Sequence, residues 1–178
     1  MLRKWRRLDE PGLEVLQIVP DADGFRATST IVHAGADAFG MTYVWLLDQS
    51  WRTRQLELRV SSPIEQETMN IQRTPDGWLV DGQERRDLAG CDEIDMSATP
   101  FCNSLAMRLL KGSGELTALY VNLPSLQLLP SRQRYEALEG YRWRYVDLGV
   151  ANGFEARLKV DQDGFVIDYD GLFEALDC

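Results

Sequence analysis

A long antiparallel β-sheet that curls into a roll or open barrel, with one short helix, is the fold class this sequence predicts. Three observations carry that expectation. The stretch Gln55-Leu56-Glu57-Leu58-Arg59-Val60 alternates polar and apolar residues without a break, as a strand with one dry and one wet face must. Asp-Gly pairs stand at 23–24, 76–77, 81–82 and 163–164, where glycine supplies the positive φ that tight turns need. Roughly ten or more short segments of this kind follow one another with turn signals between them. A sheet so long hides its apolar face and its edges only by curling or closing. The inside of such a curl is a natural cavity for an apolar or amphipathic ligand.

Taken in order, the chain opens with four basic residues, Arg3, Lys4, Arg6 and Arg7. No apolar run follows them, so they are not read as the start of an export signal, and a solvated, frayed terminus is expected. Leu13 to Val19 is β-prone and stops at Pro20, Phe25 to His33 alternates with period two, and Met41 to Asp48 is aromatic and β-branched enough for a well-buried strand. Trp51 to Val60 is the clearest strand, Glu65 to Thr74 a weaker one, and Trp78 to Val80 a short one between two turns. After the centre of the chain, Ser104 to Leu110 has helical composition and ends at Gly112-Ser113-Gly114. Strands then resume: Leu116 to Leu123, a short run Leu126 to Leu129 stopped by Pro130, Tyr141 to Val146, Phe154 to Val160, and Phe165 to Tyr169.

The 178 residues fit one domain, 1–178, long enough to bury a core unaided. With 28 acidic against 19 basic residues the net charge is -9, which argues against nucleic acid as a partner, since phosphate binding needs clustered Lys and Arg. No apolar run approaches the ~20 residues that span a bilayer. Cys91, Cys102 and Cys178 match no zinc or redox spacing, so no cofactor is expected and a reducing cytoplasm is. Cys91 and Cys102 are expected to be buried thiols behaving as small apolar groups.

Between Gly90 and Arg108 the alternation stops, and carboxylates, hydroxyls, an amide, two thiols and an arginine crowd together. The stretch does not read as a strand, and a polar insert of this kind is where a β scaffold places a binding site. Asp92, Glu93 and Asp95 are the best carboxylate cluster, a pair of acids being what glycoside hydrolysis requires. Loop acids and helix caps such as Asp95 and Ser97 are the plainer explanation. Arg52, Arg54 and Arg108 are candidates to clamp an anionic head group. Arg108, among apolar neighbours, needs a partner such as Asp92 or Asp95. Trp45, Trp51, Trp143 and Tyr145 are candidates to stack on a sugar or line an apolar wall, against core packing as the ordinary role. The lone His33 has no nucleophile motif near it, and no phosphate- or dinucleotide-binding glycine loop occurs.

Gly90-Cys91-Asp92 through Asp95, then Thr99-Pro100-Phe101, Asn103, Leu105 and Arg108, resembles the hallmark segment of a glycolipid-binding family first grouped as a domain of unknown function. Trp51-Arg52-Thr53-Arg54, Asp76-Gly77-Trp78, Val160-Asp161 and Gly164 to Tyr169 agree with the same family, so the similarity runs nearly the length of the chain. Cys102, Ser104, Ala106 and Leu109 depart from the usual segment, the last removing a second arginine. The resemblance implies a spiral β-roll, related in shape to bacterial lipoprotein carriers, holding a glycolipid or other amphipathic small molecule. Asp92, Asp95, Thr99, Asn103 and Arg108 would then orient its head. An enzyme of glycolipid metabolism using Asp92 and Asp95 is the second reading, and a ligand-free scaffold locked by the central stretch the third.

Overall fold

The computed structural model describes residues 1–176 and contains one sheet of 15 strands that does not close. Cys178 lies outside the described residues. One wing runs outward from β1 (Leu2–Arg7) through β2 (Gly12–Asp21), β3 (Gly24–His33), β4 (Phe39–Asp48), β5 (Thr53–Ser61), β6 (Gln66–Thr74) and β7 (Gly77–Val80) to β8 (Gln83–Glu84). The chain then crosses to the far end of the other wing, β9 (Glu93–Met96). It returns inward through helix α1 (Phe101–Leu110), β10 (Gly114–Asn122), β11 (Gln127–Leu138), β12 (Arg142–Asp147), β13 (Glu155–Val160), β14 (Val166–Tyr169) and β15 (Phe173–Ala175). β15 pairs with β1, Trp5 opposite Ala175 and Arg7 opposite Phe173, which joins the wings.

The basic N-terminus is therefore the middle of the sheet and not a frayed end. Trp5 anchors it, buried, its Nε1 donating to the Val166 carbonyl at 2.8 Å. The charges around it are tied down: Arg3 to Asp161 at 2.9 Å, Arg7 to Asp9 at 2.7 Å, and Arg6 to Glu174. Arg3 and Arg7 also cover the Phe165 and Phe173 rings.

The register puts one residue set on a single inner face. It passes from Ile71 and Leu56 through Trp45, Ala27 and Ile18 to Trp5, then Tyr169, Leu158 and Tyr145, and ends at Tyr135. The end of the second wing tucks inside the curl of the first. Leu119, Val121, Leu128, Ile94 and Met96 pack with Leu16, Ile18, Trp45 and Leu56 in one core, while Leu116, Ala118 and Tyr135 pack with Tyr145, Leu158 and Tyr169 in another. Strands β9 to β11 are thus covered on both faces, and the sheet is a spiral. Helix α1 fills the turn of that spiral, giving Phe101, Cys102 and Leu105 to the first core and Ala106 and Met107 to the second.

Three further local expectations change. The central stretch does contain a strand: β9 pairs parallel to β10, and the crossover that a parallel pair needs is the segment carrying α1. Four residues with two acids gave too little alternation to see. α1 begins at Phe101, with Pro100 before it and the Thr99 hydroxyl accepting from the Phe101 N–H at 3.2 Å, so neither Asp95 nor Ser97 caps it. Pro130 does not stop β11. β12 pairs with β11 only from Gln133 onward, so the proline sits where the strand has a neighbour on one side alone.

Candidate ligand-binding site

The central stretch has three parts with different surroundings, and they are best built from its N-terminal end. At Cys91 to Glu93 it fastens the two open ends of the sheet together. Arg73, on β6, donates to the Asp92 carbonyl at 2.8 Å and the Thr53 carbonyl at 2.8 Å, and stands 3.3 Å from the buried Glu93 carboxylate. Glu93 also accepts from the Thr53 N–H at 3.1 Å. Arg52 donates to the same Asp92 carbonyl at 3.0 Å, and Trp78, under the Arg73 guanidinium, donates to the Cys91 carbonyl at 3.0 Å. These contacts take the place of a closing strand pair. The Asp92 carboxylate is exposed and accepts from the Thr117 N–H at 2.9 Å. Burial pushes the Cys91 thiol up to about 11, so it stays protonated.

Asp95 and Asn103 lie inside the roll, joined through Gln133 and Tyr135 in one hydrogen-bonded chain. The Asp95 carboxylate accepts from Gln133 at 2.7 Å, Tyr135 donates to the Gln133 carbonyl at 3.1 Å, and Asn103 donates to the Tyr135 hydroxyl at 3.0 Å. Enclosure pushes the Asp95 carboxyl up to about 6, partly offset by the Gln133 amide. Beside this chain Tyr145 donates to Asp147 at 3.3 Å. Deeper in the first core, Glu14 accepts from Ser29 and Tyr43, both at 2.8 Å, with Thr99 close by. Trp45 is fully buried, its Nε1 on the Thr53 hydroxyl at 2.7 Å and its ring edge-on to Phe101.

Arg108 ends the stretch at the mouth of a groove of about 350 Å³. Met107 and Arg108 from the end of α1, Ala137, Leu138, Tyr141 and Trp143 from the β11–β12 hairpin, and Val160, Asp161, Gln162 and Gly164 from the β13–β14 turn line it. The Arg108 guanidinium lies 4.4 Å from the Trp51 ring and 4.9 Å from the Phe165 ring, a cation held by aromatic faces. It donates to the Asp163 carbonyl, and its Nε has no hydrogen-bond partner. Burial draws the Arg108 pKa down, against Asp161 and Asp163, which raise it. Its partners are thus in the β13–β14 turn and not Asp92 or Asp95. Tyr141 forms the opposite lip, 64% exposed.

Of the residues singled out from sequence, the groove unites Arg108 and Trp143, with Trp51 behind the guanidinium. Thr99, Asn103, Trp45 and Tyr145 are buried structural groups. Arg54 is elsewhere, 3.1 Å from Asp23, beside an open basin of about 460 Å³ that Arg73 also lines. Asp92 points outside the roll and Asp95 inside, so the two carboxylates do not face one cleft. Tyr141, Leu138, Asp161 and Gln162 were missed, and the Asp161–Gly164 turn was legible only as a turn. A cleft of about 800 Å³ at the other end of the roll, between the 36–38, 62–65 and 122–125 turns, is larger but has no aromatic wall. Among the described residues no group of His, Cys, Asp or Glu could hold a metal, and no helix is long and apolar enough to cross a membrane.

A spiral β-roll filled by its own helix, with an aromatic and charged groove at one end, is the class of protein these features define. The chain belongs to the family described as Putative glycolipid-binding, whose profile matches residues 3–175. A DUF1089 family protein from Pseudomonas aeruginosa, known from a crystal structure, is similar to it over 93% of this chain and 92% of that one, with 28% identity and a TM-score of 0.82. No curated protein matches the chain.

Proposed function

We propose that the protein binds a glycolipid, or a closely similar sugar-bearing amphiphile, with the sugar in the groove between Arg108, Asp161, Tyr141 and Trp143. The observation that carries this is the lining of that groove. An exposed ring, Tyr141, and a half-buried one, Trp143, share the lining with the apolar side chains of Met107, Leu138 and Val160 and with a guanidinium, a carboxylate and an amide. Rings offer a face to the C–H side of a sugar, and fixed donors and acceptors orient its hydroxyls. The family's description supports the same class of ligand. The interior does not serve, because α1 and the side chains of β9 to β11 occupy it. The reading places the protein in a reducing cytoplasm, consistent with Cys91 and Cys102 being free and buried.

Calorimetric titration with a short-chain alkyl glycoside below its micelle concentration tests this directly. Tyr141→Ala and Trp143→Ala are expected to weaken binding about tenfold each, the worth of one aromatic contact of about 1.4 kcal/mol. Tyr141→Ala should leave the melting temperature unchanged. No binding by the wild type, or wild-type affinity in both variants, refutes the assignment.

A further inference from the structure

Away from the groove, the first core holds two buried ionisable side chains, each with a polar atom left over. Glu14 is 3% exposed and His33 is 7% exposed. Glu14 uses Oε1 for both Ser29 and Tyr43, while its Oε2 makes no hydrogen bond. His33 sets Nε2 3.0 Å from the Glu10 carboxylate at the surface, while its Nδ1 makes none. The register of β2 and β3 pairs Glu14 with Ile31 and Gly12 with His33. That makes Glu14 and His33 diagonal neighbours on one face, about 7–8 Å apart at the backbone, and their leftover atoms are not bonded to each other, an arrangement that suits one bridging water. Both residues line the same small cavity of about 10 Å³, room for a single water. A leftover donor or acceptor in a dry core costs about 1–3 kcal/mol, so two of them beside one water-sized space point to a shared occupant.

We propose that Glu14 and His33 share one internal water and, with Glu10, form a proton path from the first core to the surface. Through it the buried carboxyl exchanges its proton without the roll opening. Burial pushes Glu14 up to about 7, while the Thr99, Ser29 and Tyr43 hydroxyls pull it back, so the path works near neutral pH. The groups that face Glu14 are Arg7 from β1, already held by Asp9, His33 and Ser29 from β3, Tyr43 from β4, and Thr99 and Cys102 from the segment that starts α1. When the proton leaves, a carboxylate appears against the residues that position α1. The path thus makes the seating of that helix sensitive to pH, independently of whether the groove binds sugar.

The test follows the Glu14 carboxyl carbon and the His33 ring by NMR across pH 5 to 9 in the wild type, in His33→Gln and in Glu10→Gln. The midpoint of Glu14 is expected to move by at least about half a pH unit in His33→Gln, because the imidazole at the other end of the shared water is lost. Glu10→Gln, a change at the surface end of the path, should move the Glu14 midpoint as well, through His33 and the shared water. A Glu14 midpoint identical in all folded forms overturns the proposal, as does a Glu14 that fails to titrate in this range. If His33→Gln does not fold, the Glu10→Gln comparison decides alone, and an unchanged Glu14 midpoint there refutes the link.

Discussion

Arg73→Ala is the sharpest perturbation of the contacts that hold the spiral shut. The substitution removes donors to two backbone carbonyls, both at 2.8 Å, the cation over the Trp78 ring at 4.1 Å, and the ion pair to Glu93 at 3.3 Å. Glu93, 2% exposed in the native fold, would be left with only the Thr53 and Ile94 N–H groups to answer its charge. Removing one partner of a buried ion pair costs about 3–5 kcal/mol. Because the Arg73 side chain is 22% exposed, water reaches the gap it leaves, and the low end, about 3 kcal/mol, is expected. For a chain of this length that lowers the melting temperature by about 6–12 °C. Urea denaturation measures it directly: the midpoint should fall with the slope unchanged. Arg73→Lys, which keeps the charge but loses the fork, should fall between the two. A loss below about 1 kcal/mol for Arg73→Ala would show that the ends of the sheet hold without this contact.

The buried carboxyl of Glu14 gives a prediction with a defined sign. Its pKa is raised in the fold to about 7 from 4.5, so its contribution to stability is fully present below pH 4.5 and lost as pH rises to about 7. The difference corresponds to about 3 kcal/mol. Glu14→Gln should therefore be more stable than the wild type at pH 8 in urea denaturation, with the advantage gone at pH 4; an equal gain at both pH values contradicts this. Tyr135→Phe removes the hydroxyl between Asn103 and Gln133 and is expected to cost about 1–3 kcal/mol by thermal unfolding, through the two buried partners it strands; a neutral result would mean they find new partners. Gly164 has φ of +78°, and a Cβ there would lie 3.5 Å from the Arg108 guanidinium. Gly164→Ala should cost about 1 kcal/mol and weaken glycoside binding with it.

Residues that repeat made the fold readable, and residues that act once made the site hard to read. The alternation of Leu56, Leu58 and Val60, and the Asp163-Gly164 turn, report a local backbone state with a short-range cause, and each lies where expected. β1 was obscured because Arg3 and Arg7, on the face of Trp5, are charged residues that reach aromatic rims, and alternation counted by polarity cannot see that. β9 depends on a parallel partner more than twenty residues away in sequence. Arg108 reads in the sequence as a charge in need of a partner such as Asp92 or Asp95, yet in the fold it meets the Trp51 ring and, on the β13–β14 turn, the Phe165 ring and the Asp163 carbonyl, brought near only by the spiral. Thr99 and Asn103 show the converse: a polar residue in an unusual stretch stands out equally whether it meets a ligand or fills a buried network.

A chemical-shift map of the backbone on titration with an alkyl glycoside, set against a sugar-free detergent of the same chain length, tests the assignment of the groove most directly. Changes centred on Arg108, Tyr141, Trp143 and Gly164, seen with the glycoside and not with its sugar-free counterpart, are predicted. Changes confined to the cleft at residues 36–38, 62–65 and 122–125, or the same map for both detergents, would contradict it.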